Sequence, residues 1–187
     1  MGRWDPDAAG RLQRSAMALY SARGYEGVTV AEIAADAGLT KRTFFRHFPD
    51  KREVLFAGAP AMQAGVVAAV AGADADVAPI DAAVGALAAS GEQLGRYGPY
   101  ARGRRALIAS SADLQERELI KTAALTAAVA DALAERGVDA GRARLTAQAA
   151  VAVFTTAYDR WVDDDCAADF PALVQESLDD LRRAVCP

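Results

Sequence analysis

Apolar residues recur at helical spacing along most of this chain. Leu12, Ala16, Leu19 and Tyr20 form one stripe, preceded by Asp5-Pro6-Asp7 and closed by Gly24. An Asp cap, a Pro at the first helical position and acid in the first turn are a helix start. Val30, Ile33, Ala34 and Ala37 make a second face. Thr29 with Glu32 three residues on reads as a capping box, and Gly38 stands where helices stop in the left-handed conformation. Thr40 caps a short third helix, which Pro49 ends by disfavouring helical geometry at Phe48.

A longer helix is expected from Asp50, with Val54, Leu55 and Ala59 or Met62 on its apolar face. Pro60 inside it predicts a bend or a restart near Ala61. An acidic, turn-rich break over residues 72–79 precedes a helix carried by Ile80, Val84, Leu87 and Leu94. A second break at 95–99 leads to a short segment, 100–109. A long helix then opens at Asp113, runs through Leu114, Leu119, Leu125, Val129 and Leu133, and closes at Gly137. Residues 139–161 carry two apolar faces: Leu145, Ala149, Val153 and Thr156 on one, Val151, Phe154, Tyr158 and Trp161 on the other. A helix apolar on most sides needs two partners, of which the chain's own core is one and a second copy of the chain the other. Phe170, Val174, Leu178, Leu181 and Val185 form the last stripe. Leu145, Ala149, Val153, Thr156, Val174, Leu178 and Leu181 are therefore the expected homodimer face, paired across a two-fold axis as a four-helix bundle.

Two short helices around a Gly-containing turn, within residues 29–51, are the helix-turn-helix pattern. The second carries Lys41, Arg42, Thr43 and Arg46 beside Phe44, Phe45 and Phe48, which are expected to anchor it to the helix beneath. Its other side is left for a polyanion. A helix fits the DNA major groove, where Arg binds guanine O6 and N7 in bidentate fashion, and free N–H groups at a helix start favour phosphate. Thr40, Arg42 and Thr43 are the expected base-edge contacts. Lys41 adds charge at the helix start, and Arg46 could reach a base or the backbone. Lys51, Thr29 and the single histidine, His47, are expected at phosphates.

At this point the residues resemble the tetracycline-repressor (TetR) family of bacterial regulators, over roughly residues 17–57. The ordered set is Ala22, Gly24, Tyr25, Thr29, Ile33, Ala34, Ala37, Gly38, Thr43, Phe45, His47, Phe48, Lys51 and Leu55. Two positions depart from it. Phe45 stands where the family often has a Tyr whose hydroxyl reaches a phosphate, and Arg42 where a small residue is frequent. The resemblance implies an all-α fold of about nine helices. A three-helix head (residues 1–50) binds DNA, and a six-helix body (51–187) binds ligand and dimerises through its last two helices. It also makes His47 a phosphate contact. The function implied is a ligand-responsive transcriptional regulator, a repressor, that binds a palindromic operator as a homodimer and is released by a small molecule. The alternative is a DNA-binding architectural or recombinase-like module without a ligand. Tyr97, Tyr100, Arg102, Arg105, Leu107 and Leu119 are the expected effector walls, and their arginines suit an anionic apolar compound.

Charge sharpens the division of labour. The 187 residues carry a net charge of −4, but residues 1–55 hold 9 Lys/Arg against 7 Asp/Glu, and the remainder 12 against 18. A mildly basic head on an acidic body fits a DNA reader that does not coat nucleic acid indiscriminately. Two cysteines, Cys166 and Cys186, are too few for a disulfide framework, which points to a reduced, cytoplasmic setting. The Ala-rich stretch 59–73 reads as too short and too weakly apolar to span a bilayer. One histidine excludes a Glu-x-x-His di-iron bundle, and no nucleotide or nucleophile-elbow motif is present. No enzyme activity, cofactor or metal is therefore expected.

Overall fold

The computed structural model describes residues 7–91 and 98–185. Among them there are nine α-helices and no strand. They are α1 (Ala8–Arg23), α2 (Val30–Asp36), α3 (Lys41–His47), α4 (Ala59–Ala71), α5 (Pro79–Gly91), α6 (Gly98–Ala109), α7 (Ala112–Glu135), α8 (Ala140–Asp163) and α9 (Phe170–Val185). A 3-10 turn, Glu53–Phe56, lies between α3 and α4. The expected long helix from Asp50 is thus two pieces. Pro60 is the second residue of α4, where its missing N–H has no helical acceptor to lose, so it starts the helix instead of kinking it.

The chain divides into two compact units. The first runs to Gly58 and takes in Gly103–Glu118. In it α1 packs against α2, α3 and the 3-10 turn, and α2 against α3. Leu12, Ile33, Phe44 and Val54 are wholly buried. The local signals act as the sequence implies. The Thr29 hydroxyl accepts from the Glu32 N–H, and the Glu32 carboxylate accepts from the Thr29 N–H, which completes the capping box. Gly38 takes φ 65°. The Leu39 N–H then bonds the Ala34 carbonyl (2.7 Å) and the Gly38 N–H that of Ala35 (2.9 Å), a Schellman closure that needs the left-handed residue. Arg11 of α1 donates to the Ala37 carbonyl at the same corner.

This unit extends beyond residue 50. Val54, Leu55 and Phe56 are buried in it, and residues distant in sequence complete it. The Arg52 guanidinium donates to Asp50 (2.9 Å) and Asp113 (2.7 Å), and the Tyr25 hydroxyl donates to the same Asp113 (3.0 Å). Arg117 pairs with Glu53. Arg104 donates to the Leu55 carbonyl (3.2 Å), pairs with Glu118 (3.0 Å) and lies 5.0 Å from the Phe56 ring centroid.

The second unit comprises Ala59–Arg102 and the chain from Leu119 onward. Here α5 packs against α4, α8 and α9, and α8 against α9. Trp161, Phe170 and Phe154 form an edge-to-face series, with ring centroids 5.7 and 5.5 Å apart along it. The expected dimer face divides. Val153, Val174 and Leu178 are buried in the chain's own core, so they have no surface to give a second copy. These residues turn inward because α5 as well as the sister helix packs on α8 and α9. Leu145 is 68% exposed and Thr156 also faces outward; Ala149 and Leu181 are half-buried. One stretch, Glu53–Ala71, is long and apolar enough to cross a membrane by length and composition, with mean hydropathy 1.8 over its best window. It is broken into the 3-10 turn and α4.

Candidate nucleic-acid interface

The helix α3 is placed by its buried side. Phe44 is fully buried and Phe48 nearly so, with ring centroids 5.6 Å apart. Thr40 fixes the helix start, its hydroxyl accepting from the Thr43 N–H (3.1 Å) and lying 3.0 Å from the Thr43 hydroxyl. With Phe44 and Phe48 pointing inward, Lys41, Arg42, Phe45 and Arg46 fall within an arc of about 140° at 3.6 residues per turn. All four are exposed. Lys41, Arg42 and Arg46 have no ion pair or side-chain hydrogen bond among the described residues, so three cations face outward from one short helix. His47 is exposed as well but projects to the other side of that arc.

Two sequence expectations change here, those for Phe45 and Lys51. Phe45 was expected in the core with Phe44 and Phe48; it is 55% exposed. It sits four residues from Lys41, on the cationic face, and a count at helical spacing would have found it. The Thr29 hydroxyl lies 2.7 Å from the Glu32 carboxylate. Hydrogen bonds from the Thr29 hydroxyl and N–H, together with Arg23, hold the Glu32 carboxyl down to about 2. Lys51 is turned inward. Its ammonium donates to the Tyr25 carbonyl (3.0 Å) and the Val28 carbonyl (3.2 Å), and sits 4.1 Å from the Tyr25 ring centroid. The Lys51 carbonyl in turn accepts from the Tyr20 hydroxyl (2.7 Å). Lys51 therefore fastens the segment between α1 and α2 instead of standing free for a phosphate. Burial, with the Asp113 hydrogen bond second, pushes the Tyr25 hydroxyl far above its usual range. Arg52 is held charged by Asp50 and Asp113.

The expected effector walls are divided between the two units. Tyr97 lies outside the described residues. Arg105 and Leu107 belong to the first unit, whereas Tyr100, Arg102 and Leu119 belong to the second. Arg102 pairs with Asp165 (2.6 Å), Leu107 is buried and Leu119 is 70% exposed. A groove of about 650 Å³ does exist in the second unit, between α7 and α8. Its lining, half of it alanine and including Asp131 and Arg144, contains none of those six residues.

A capped two-helix motif whose second helix buries aromatics and exposes cations is a helix-turn-helix DNA-binding module, here joined to a helical body. Residues 13–57 match the model described as "Bacterial regulatory proteins, tetR family". Residues 77–185, more than half the chain, match the MftR C-terminal domain. The chain belongs to the TetR family of transcriptional regulators.

Among individual proteins, the transcriptional regulator TcmR of Streptomyces glaucescens is 50% identical over 44 residues, 24% of this chain. The match spans only 20% of TcmR's length. Two solved structures share the fold. FadR of Bacillus subtilis in complex with stearoyl-CoA superimposes with TM-score 0.64 and 17% identity, over 91% of this chain and 95% of that one. FadR of Thermus thermophilus in complex with lauroyl-CoA gives 0.57 and 22%, over 91% of both.

Proposed function

We propose that this regulator is a repressor that acts as a homodimer. Each head lays α3 in the major groove of one half of an inverted-repeat operator, and a small molecule bound in the body releases it. The observation that carries the DNA reading is the outward face of α3. Its three cations are uncommitted, while its aromatic side is locked into the head. Arg42 is the expected base reader and Lys41 and Arg46 its cationic flanks; Thr40 and Thr43 border them, and His47 takes a backbone position. Two heads on one operator imply half-sites centred about 34–36 Å apart, or a multiple of that. The dimer reading rests on the surface left on α8, with Leu145 and Thr156 outward and Ala149 half-buried.

For the effector we retain an anionic apolar class. The two FadR relatives were solved with acyl-CoA molecules, which have that chemistry, so stearoyl-CoA and lauroyl-CoA are the first compounds to test. The decisive experiment is selection of bound sequences from a random DNA pool, followed by effector titration into the protein–operator complex. Enrichment of inverted half-sites and release by an acyl-CoA support the proposal. Enrichment of unrepeated sequence, or none, overturns the operator reading. Release by neutral apolar compounds alone overturns the effector class.

A further inference from the structure

We propose that Phe45 is a specificity-determining residue, reading the C5-methyl group of a thymine in each operator half-site. The inference rests on α3 entering the major groove. The large hydrophobic side chains left exposed among the described residues are Phe45, Leu119, Ile120, Leu145 and Val185, and Phe45 alone is aromatic. It is also the one placed on the DNA-facing helix. At about 100° per residue it projects between Lys41 and Arg42, in the middle of the face that those cations would carry to the duplex.

The ring is held before DNA arrives. Phe44, wholly buried, packs edge-on against it with centroids 5.5 Å apart and planes at 81°. A side chain with two torsions, braced on one side by a buried ring, loses little freedom on binding. Phe45 has no donor or acceptor, so it cannot bond a phosphate or a base edge. Among the groups on base edges in the major groove, the thymine methyl is the apolar one, and Phe is a residue type that meets it. The cations on either side engage the duplex while the ring meets the methyl. Exposure of this ring in the free protein is then a feature of the reading face, since burying it would remove the only apolar reader α3 offers.

The test uses the full chain and the half-site returned by pool selection. Each thymine is replaced singly by deoxyuridine, which deletes the methyl and leaves Watson–Crick pairing intact. The wild type should lose about fourfold in affinity per half-site at one position, as burial of one methyl group implies. Phe45→Ala should bind more weakly overall and show no sensitivity at that position, while Phe45→Leu should keep part of it. The circular dichroism spectrum of Phe45→Ala should match the wild type, because the ring is more than half exposed. Equal sensitivity in wild type and Phe45→Ala overturns the proposal, as does a half-site with no methyl-sensitive thymine. Either result leaves the operator reading standing. A pool that returns no half-site at all overturns both.

Discussion

Replacing Lys51 with Met removes the ammonium and keeps an unbranched stem of similar volume. Two hydrogen bonds, to the Tyr25 and Val28 carbonyls, and the contact with the Tyr25 ring are lost together. A hydrogen bond to a charged group is worth about 1.5–3 kcal/mol and an exposed cation–π contact about 0.5–1 kcal/mol. Added naively these give about 3.5–7 kcal/mol. They share one half-exposed ammonium, whose own dehydration and solvent screening offset much of the sum, so a loss of about 2 kcal/mol is expected. For a chain of this size that lowers Tm by about 4–8 °C. Thermal denaturation measures the stability change, and operator titrations between 50 and 200 mM salt measure the charge contacts. Because the ammonium is engaged inside the head, the slope of log affinity against log salt should stay within about 0.5 of wild type. A phosphate contact by Lys51 would instead flatten that slope by about 0.9 per head. An unchanged Tm with a flattened slope refutes the reasoning.

Three further outcomes follow from the geometry. A Cβ on Gly91 would lie 2.1 Å from Phe170 Cε1, and that ring is wedged against Phe154 and Trp161; Gly91→Ala should cost about 1–3 kcal/mol in a chemical melt, and equal stability would contradict the packing. Tyr20 and Tyr25 are both pushed above their usual value of 10.0, chiefly by burial. The stability this contributes is complete below pH 10 and lost as pH rises beyond it; phenolate absorbance should show these two ionising only with unfolding, and titration near pH 10 of all five tyrosines with helicity intact would be the wrong result. Glu32, depressed from 4.5 to about 2, contributes stability present above pH 4.5 and lost as pH falls toward 2. The stability gap between wild type and Glu32→Gln should therefore narrow across that window, and a gap independent of pH would count against the capping-box ionisation.

The fold was legible wherever one residue dictates a local outcome. Thr29, Glu32, Gly38 and Thr40 act through bonds within a few positions of themselves, and each does what its type implies. The helix stripes were legible for the same reason, since helical periodicity is local. Which side of a stripe meets which neighbour was not. Val153, Val174 and Leu178 look identical to interface residues in sequence, and only the position of α5 decides that they are core. Likewise nothing near Arg52 announces Asp113, 61 residues away, or assigns Gly103–Glu118 to the head unit.

The same distinction governs how the head's charge should be counted. A net excess of Lys and Arg over residues 1–55 says nothing about which cations remain available. Of the nine, Arg3 lies outside the described residues. Arg11 bonds the Ala37 carbonyl, Arg23 pairs with Glu32, Lys51 bonds two carbonyls and Arg52 two carboxylates. Arg14 pairs with Asp7, but with both side chains more than half exposed, so that pair is readily surrendered. Lys41, Arg42 and Arg46 remain, all on α3. In the proposed dimer two heads would present about six cations to the duplex, and log affinity should then fall against log salt with a slope of about −5. A slope near −10 would require the internally paired arginines and Lys51 to leave their partners on binding. The head would then refold its own electrostatics around DNA instead of presenting a preformed surface.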